Sequence, residues 1–498
     1  MILFLLLACF SSLLFYNYYW KRRSYPPGPA PLPLIGNLIE LKSLNYYDAL
    51  LKWKREFGPM FTFWMGEVPV VCFADYDTIQ ETLVKEADTF GGRFTFGRLS
   101  IVVREEARNV GIVDADSRDV YLDQRKFILR TFREFGVGKN IMQEKILNEY
   151  RHLQKDIEEE QHKDGSVDVM DRYDYMVGSI ICGILFGRRY GEDPDDLEYK
   201  DILGRHLQLF LHPLAFIFAY CPSDTIANMY PMSWARDEAA RNGKFMMGFA
   251  RKEIRQHEEK FKRGIIPSPP TDLIDAFLCE VYKENAGENF HTQQLENLIF
   301  DVFIAGLETT SNTLGFITIE IMRNPTIQEK IHAELDRVIG SDRIIDLSDK
   351  NDLTYINAVL AEGLRYANVL ALNLTHKNTR EVTVRGHTIP QGTCIQPLIC
   401  AVLYDEKLFP DPKTFKPERF IAEDGSLINN PHLIAFSAGR RQCLGEGLAK
   451  TELFLVFANL FNQFKISCVD PKNPPSNRKN VGVTTSPSHF KAVFERRF

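Results

Sequence analysis

The segment "FSAGRRQCLGEG", Phe436 to Gly447, sets a single cysteine among two arginines and three glycines. A free thiol is mostly protonated at neutral pH, so a cysteine that works as a soft ligand needs its thiolate stabilised. A glycine-rich loop can bring several backbone N–H groups to one sulfur. The stretch that follows, "LGEGLAKTELFLVFANLFNQF", has a helical pattern. A helix beginning there adds the positive end of its dipole. Cys443 is therefore placed to be a thiolate held by backbone donors. A nucleophilic or redox thiol is the other reading, but a nucleophile wants a histidine base, and His432, the nearest in sequence, has no triad-like context.

The remaining cysteines do not share this setting. The chain has nine, with irregular spacing and no C-x-x-C. That argues against a disulfide framework and a cysteine-rich zinc site. Most have apolar neighbours, as in "VVCF" and "IICG", and read as small buried hydrophobes. The 498 residues, 45% hydrophobic and 25% charged, have globular composition. A net charge of −6 argues against a nucleic-acid binder working through an overall positive field.

The elements that would position Cys443 are mainly helical. The helical pattern in "HTQQLENLIFDVFIAGLETTSNTLGFITIEIMRNP" runs from Thr292 to Arg323 and stops at Asn324-Pro325. It predicts a central helix about 48 Å long. "MQEKILNEYRHLQKDIEEEQ" predicts a charged amphipathic helix, "MVGSIICGILFG" a buried one, and "LTYINAVLAEGLRYA" a shorter one. "DYDTIQETLVKEA" opens on an Asp cap signal. Residues 59–73 read as a strand pair turning at Gly66-Glu67, "TREVTVRGHTIPQGTCIQ" as β with turns, and the tail as another β piece. The fold class expected is mainly α with small β-sheets.

Ahead of this body, "MILFLLLACFSSLLFYNYYW" is nearly all apolar and is followed by Lys21, Arg22 and Arg23. It predicts one membrane anchor over residues 1–20, with the C-terminal side cytosolic by the positive-inside rule. The proline-rich "YPPGPAPLP" makes residues 21–36 a basic, stiff hinge. Residues 37–498 then form a single catalytic domain.

These residues carry a resemblance. "FSAGRRQCLG" resembles the haem-thiolate signature of the cytochromes P450, F-x-x-G-x-R-x-C-x-G, at Phe436, Gly439, Arg441, Cys443 and Gly445. "EGLR" is similar to its E-x-x-R pair, "FKPERF" to its partner arginine, "AGLETT" to its oxygen-activation segment and "YPPGP" to its proline hinge. All five stand in the family's order and look most like the animal microsomal branch.

The resemblance implies the cytochrome P450 fold and haem b, iron protoporphyrin IX, with Cys443 as axial ligand. Arg441 would pair with a haem propionate, and His376 with a propionate as well. Phe436 would pack near the sulfur. Ala305, Thr309 and Thr313 are spaced i, i+4, i+8 and share one helix face. Small Ala305 leaves room for a flat cofactor and O2, and Thr309 can bond back to its carbonyl. Glu308 and Thr309 form an acid–hydroxyl pair for proton delivery. Glu362, Arg365 and Arg419 form a structural network. Two departures stand out: Tyr121, with Arg125, occupies the family's W-x-x-x-R tryptophan position, and Ala371 and Thr375 stand where prolines are usual.

The implied activity is a monooxygenase that inserts one atom of O2 into a lipophilic xenobiotic, fatty acid or steroid. Electrons would come from NADPH through NADPH–cytochrome P450 reductase, since no dinucleotide fingerprint occurs in this chain. Cytochrome b5 is a second implied partner, and the basic helix with Arg125, Lys126, Arg130 and Arg133 suits an acidic donor. The implied location is the endoplasmic reticulum membrane. Segments 94–103, 207–218, 303–309, 369–373 and 483–485 are implied pocket walls. The competing classes are a haem-thiolate isomerase or dehydratase that needs no external electrons, and a non-catalytic haem ligand-binding protein.

Overall fold

The computed structural model describes residues 2–44, 46–94, 97–136, 140–209, 212–221, 224–265 and 267–498. The implied pocket residues Thr95, Phe96, Phe210 and Leu211 lie outside them.

The central helix is present with the expected bounds, Thr292–Arg323. His291 caps its start by accepting from the Gln294 N–H, and Pro325 opens the next helix. Its C-terminal half is buried on nearly every face, which explains the absence of a clean polar stripe in the sequence. Around it pack Val169–Leu185, Met232–Lys262, Thr354–Ala367 and Glu446–Gln463, and Asn140–Asp164 lies outside against Val169–Leu185 and Glu446–Gln463. Their apolar side chains form one large core, with Phe303, Leu314, Phe454 and Phe457 among its fully buried members.

The main sheet has five strands, ordered Met60–Met65, Val68–Phe73, Cys394–Pro397, His376–Lys377 and Gly92–Arg93. The first two pair antiparallel across the expected Gly66-Glu67 turn. The two shortest strands place Arg93 opposite His376. The tail contributes Lys491–Arg496 to a separate three-stranded sheet.

Asp75 caps as expected, accepting from the Thr78 N–H at 2.9 Å. The helix it opens is α only through Ile79, and Gln80–Lys85 is wound as π-helix. That winding sets the Leu83 carbonyl against the cysteine loop. A Cβ on Gly439 would lie 1.9 Å from this oxygen, and Gly439 has φ +78°. Both constraints require glycine there.

The N-terminal helix covers Ile2–Tyr18, 17 residues. It is shorter than the anchor read from the sequence, which ran through Trp20. The chain leaves the helix at Tyr19 and is tied to the body. The Asn17 amide donates to the Pro31 carbonyl at 2.6 Å, and Lys21 pairs with Glu67 at 2.9 Å. Among the described residues no helix is long and apolar enough to cross a membrane.

Candidate haem-thiolate site

The cysteine loop is built by its own backbone. The Cys443 N–H donates to the Phe436 carbonyl at 3.0 Å, closing the loop. The N–H groups of Gly445 and Glu446 then donate toward the Cys443 sulfur as the helix Glu446–Gln463 begins. Cys443 is exposed at the surface of its loop, yet protein atoms crowd its sulfur. Burial pushes its pKa up, while the two N–H groups and Arg125 favour the thiolate, and the Glu446 carboxylate opposes it. Phe436 is half-buried, its ring 5.5 Å from the Lys450 amine.

Arg441 is 8% exposed, and among the described residues its guanidinium donates hydrogen bonds only to backbone carbonyls: Gly91 at 2.9 Å, Ala115 at 2.5 Å and Ile112 at 3.4 Å. Burial, then the nearby Arg93, pushes its pKa down to about 9. Arg93 was not singled out in the sequence. It is 7% exposed and donates to the carbonyls of Val113 at 3.0 Å and Thr375 at 2.9 Å. Its pKa also falls, through burial. Among the described residues neither arginine forms an ion pair. "GGRF" offers no signal for this, because the position becomes special only when a two-residue strand pairs it with His376.

His376 is buried, with Nδ1 2.9 Å from the Phe90 carbonyl. Burial, then Arg93, pushes its pKa down to about 3, so the ring is neutral. With Nδ1–H given to Phe90, Nε2 can donate to an anion only once the ring is protonated.

Tyr121 takes its place in this cluster despite its type. Its hydroxyl donates to the Arg440 carbonyl at 2.6 Å and accepts from Arg125 at 3.1 Å. Arg125 also donates to the Gln442 carbonyl at 2.9 Å, and the Arg441 guanidinium stacks 3.7 Å from the Tyr121 ring centroid. The Tyr121–Arg125 pair thus braces the cysteine loop on both sides of Arg441.

On the central helix the Thr309 hydroxyl donates to the Ala305 carbonyl at 3.0 Å, as the spacing predicts. Ala305 is exposed in the middle of this helix, between half-buried Ile304 and Gly306. Burial raises the Glu308 carboxyl, with Asp174 adding to the rise and Lys200 opposing it. The Thr484 hydroxyl stands 3.5 Å from Glu308 Oε2, at the long end of a hydrogen bond. No hydrogen bond or ion pair among the described residues joins the Glu308–Thr309 pair to the cysteine loop.

Glu362, Arg365 and Arg419 form the expected network. Arg365 donates to both Glu362 oxygens at 2.7 and 2.8 Å, the Lys416 N–H adds a third hydrogen bond at 2.8 Å, and Arg419 approaches Glu362 at 3.1 Å. Arg365 and Glu362 are fully buried.

The arrangement fits a flat, dianionic, iron-bearing macrocycle. A sulfur carrying backbone N–H groups supplies a soft ligand. Two buried guanidinium groups without carboxylate partners among the described residues are the groups that would hold the macrocycle's acidic side chains.

The profile of the family described as Cytochrome P450 matches residues 26–494. Similar proteins include Cytochrome P450 2B19 of Mus musculus, 32% identical over 95% of this chain and 94% of that protein. Cytochrome P450 2B2 of Rattus norvegicus is 31% identical over 100% of this chain and 99% of its own. Cytochrome P450 2U1 of Homo sapiens is 31% identical over 99% and 93%. The chain belongs to the cytochrome P450 family and has its fold, mainly helical with small sheets. It is an enzyme of the monooxygenase type, in a family that binds haem through a cysteine thiolate.

Proposed function

We propose that Cys443 holds haem b as its thiolate ligand and that the enzyme hydroxylates or epoxidises a lipophilic small molecule. For a C–H substrate the balance is RH + O2 + NADPH + H+ giving ROH + H2O + NADP+. The observation that carries this reading is the Cys443 sulfur under two N–H groups at a helix start. When bound, the haem supplies the oxygen chemistry, and the thiolate donates electron density that favours O–O cleavage.

The chain's own residues do the rest. Arg93, Arg441, Arg125 and His376 bind and orient the propionates, and Tyr121 holds Arg125 in place. Phe436 limits water near the sulfur. Ala305 leaves space above the ring. The Thr309 hydroxyl and Glu308 carboxyl move protons during oxygen reduction. Glu362, Arg365 and Arg419 fix the backbone beneath the cysteine loop.

Reductase, with cytochrome b5 as a second donor, docks on the basic face where Lys126 and Arg133 are exposed. The helix Ile2–Tyr18 associates with the endoplasmic reticulum membrane as part of the 1–20 anchor, and the 21–36 hinge and 37–498 body are cytosolic. In support, Phe4, Leu7, Phe10, Leu13 and Phe15 are all exposed, which only an apolar surrounding rewards.

The test is the absorption spectrum of the reduced protein with carbon monoxide, on wild type and Cys443→His. A long-wavelength Soret band in the wild type, lost in a folded mutant, is the expected result. A short-wavelength band in well-folded wild type would sink the thiolate reading.

A further inference from the structure

Lys479 has a setting that neither haem binding nor the fold class requires. Its amine donates to the last carbonyls of the helix Thr354–Ala367, those of Tyr366 and, at 2.7 Å, Ala367. It also donates to the Tyr404 hydroxyl. The rings of Phe316, Tyr366 and Tyr404 surround it, with centroids 5.4, 5.3 and 5.1 Å away.

No carboxylate pairs with it among the described residues. Glu320, the acid facing it from the central helix, accepts instead from the Tyr366 hydroxyl at 2.7 Å and the Asn477 amide at 2.9 Å. Burial, then Arg365 on the neighbouring helix, pushes the amine's pKa down to about 7, against smaller pulls from Cys400 and Glu320. An enclosed lysine head without an ion partner is costly. The return is two bonds to one helix end and a third to the Tyr404 hydroxyl, which itself donates to the Tyr366 carbonyl at 2.9 Å.

The chain leaving Lys479 forms a closed turn. Asn480 and Ser486 exchange backbone hydrogen bonds at 2.9 and 3.1 Å. The Thr485 N–H donates to the Val369 carbonyl at 2.8 Å, and the Tyr47 hydroxyl to the Gly482 carbonyl at 3.3 Å. The turn's Thr484 hydroxyl reaches Glu308 Oε2 at 3.5 Å. Its base is thus fastened by Lys479, and its tip addresses the acid assigned to proton delivery. A hydroxyl donating to a buried carboxyl favours the ionised form, which makes the acid readier to give up its proton.

We infer that Lys479 is a positioning residue that clamps the 480–486 turn to the carbonyl end of the helix Thr354–Ala367. Through Thr484 and Glu308 it sets how much reducing power ends as water rather than hydrogen peroxide. This rests on the reading of Glu308 as a proton donor. The competing outcomes balance as O2 + NADPH + H+ giving H2O2 + NADP+, and O2 + 2 NADPH + 2 H+ giving 2 H2O + 2 NADP+.

The experiment uses the full-length, haem-loaded enzyme with reductase and NADPH and no added substrate. It compares wild type, Lys479→Met, Thr484→Val, the double variant and Glu308→Gln. The fraction of NADPH recovered as peroxide is measured, together with hydrogen exchange at the amides of Asn480, Thr485 and Ser486. The peroxide fraction should rise about twofold or more in Lys479→Met and Thr484→Val. The double variant should add nothing further, as expected of residues acting through one contact. Exchange should quicken about tenfold in Lys479→Met only.

Faster exchange in Lys479→Met with an unchanged peroxide fraction, while Glu308→Gln leaks, would overturn the clamp and leave Glu308 standing. An unchanged fraction in Glu308→Gln would remove the acid's role, and the clamp's with it. If Lys479→Met fails to load haem, Thr484→Val decides alone: no added leak overturns the proposal.

Discussion

Two buried arginine clusters, one centred on Glu362 and one beside the cysteine loop, are solved differently. At Glu362 the charges close on themselves: one carboxylate receives two bonds from Arg365, an approach from Arg419 and a backbone N–H. At Arg441 and Arg93 two guanidinium groups point at carbonyls, with a neutral histidine beside them and no carboxylate ion pair among the described residues. The first cluster is complete without a ligand. The second carries surplus positive charge in a place where surplus charge is expensive. The difference separates a device that holds the fold from one that waits for an anion.

The sharpest way to break the comparison is in the closed cluster. Arg365→Leu leaves Glu362 fully buried with one misaligned arginine, and losing one partner of a buried pair costs about 3–5 kcal/mol. The expected outcome is loss of cooperative thermal unfolding and of the carbon monoxide spectrum together, read by circular dichroism and absorbance.

In the open cluster the same kind of change should spare the fold. Arg441→Leu removes a charge that has no carboxylate to abandon, so the thermal midpoint should hold. Haem retention should fall, by about ten- to a hundredfold for a charge-assisted bond of about 1.5–3 kcal/mol. Haem transfer to a scavenger protein measures this. Equal losses of fold in Arg441→Leu and Arg365→Leu would erase the distinction.

The closed cluster was legible in the sequence and the open one only in part, for a physical reason. Glu362 and Arg365 lie three apart on one helix, so their spacing already forms the pair. Cys443 and its N–H donors are likewise local, as are Tyr121–Arg125 and Ala305–Thr309. The central helix was readable because its apolar run and its Asn-Pro stop are also local. Arg93 depends on a two-residue strand meeting His376 from a distant part of the chain. The π-winding of Gln80–Lys85 accompanies the packing of Leu83 against Gly439. Lys479 depends on the end of a helix more than a hundred residues earlier. Long-range pairing of this kind leaves no periodic trace.

His376 gives the finest test, because it reports the surplus charge without being removed. Its folded pKa of about 3 lies below the ordinary histidine value, so the unfolded chain binds more protons between these two values. Without an anion in the cluster, stability therefore rises with pH across that window. From pH 5 to pH 7 the gain from this one ring is about 2 kcal/mol. A propionate beside Nε2 would reverse the balance: the imidazolium becomes favoured, its pKa climbs, and the gain shrinks or disappears. The haem-free protein should thus show a larger rise in thermal midpoint from pH 5 to pH 7 than the haem-loaded enzyme. His376→Asn should flatten the first profile and leave the second nearly unchanged. If both forms show the same slope, the anion does not reach His376, and Arg93 and Arg441 neutralise it without the histidine.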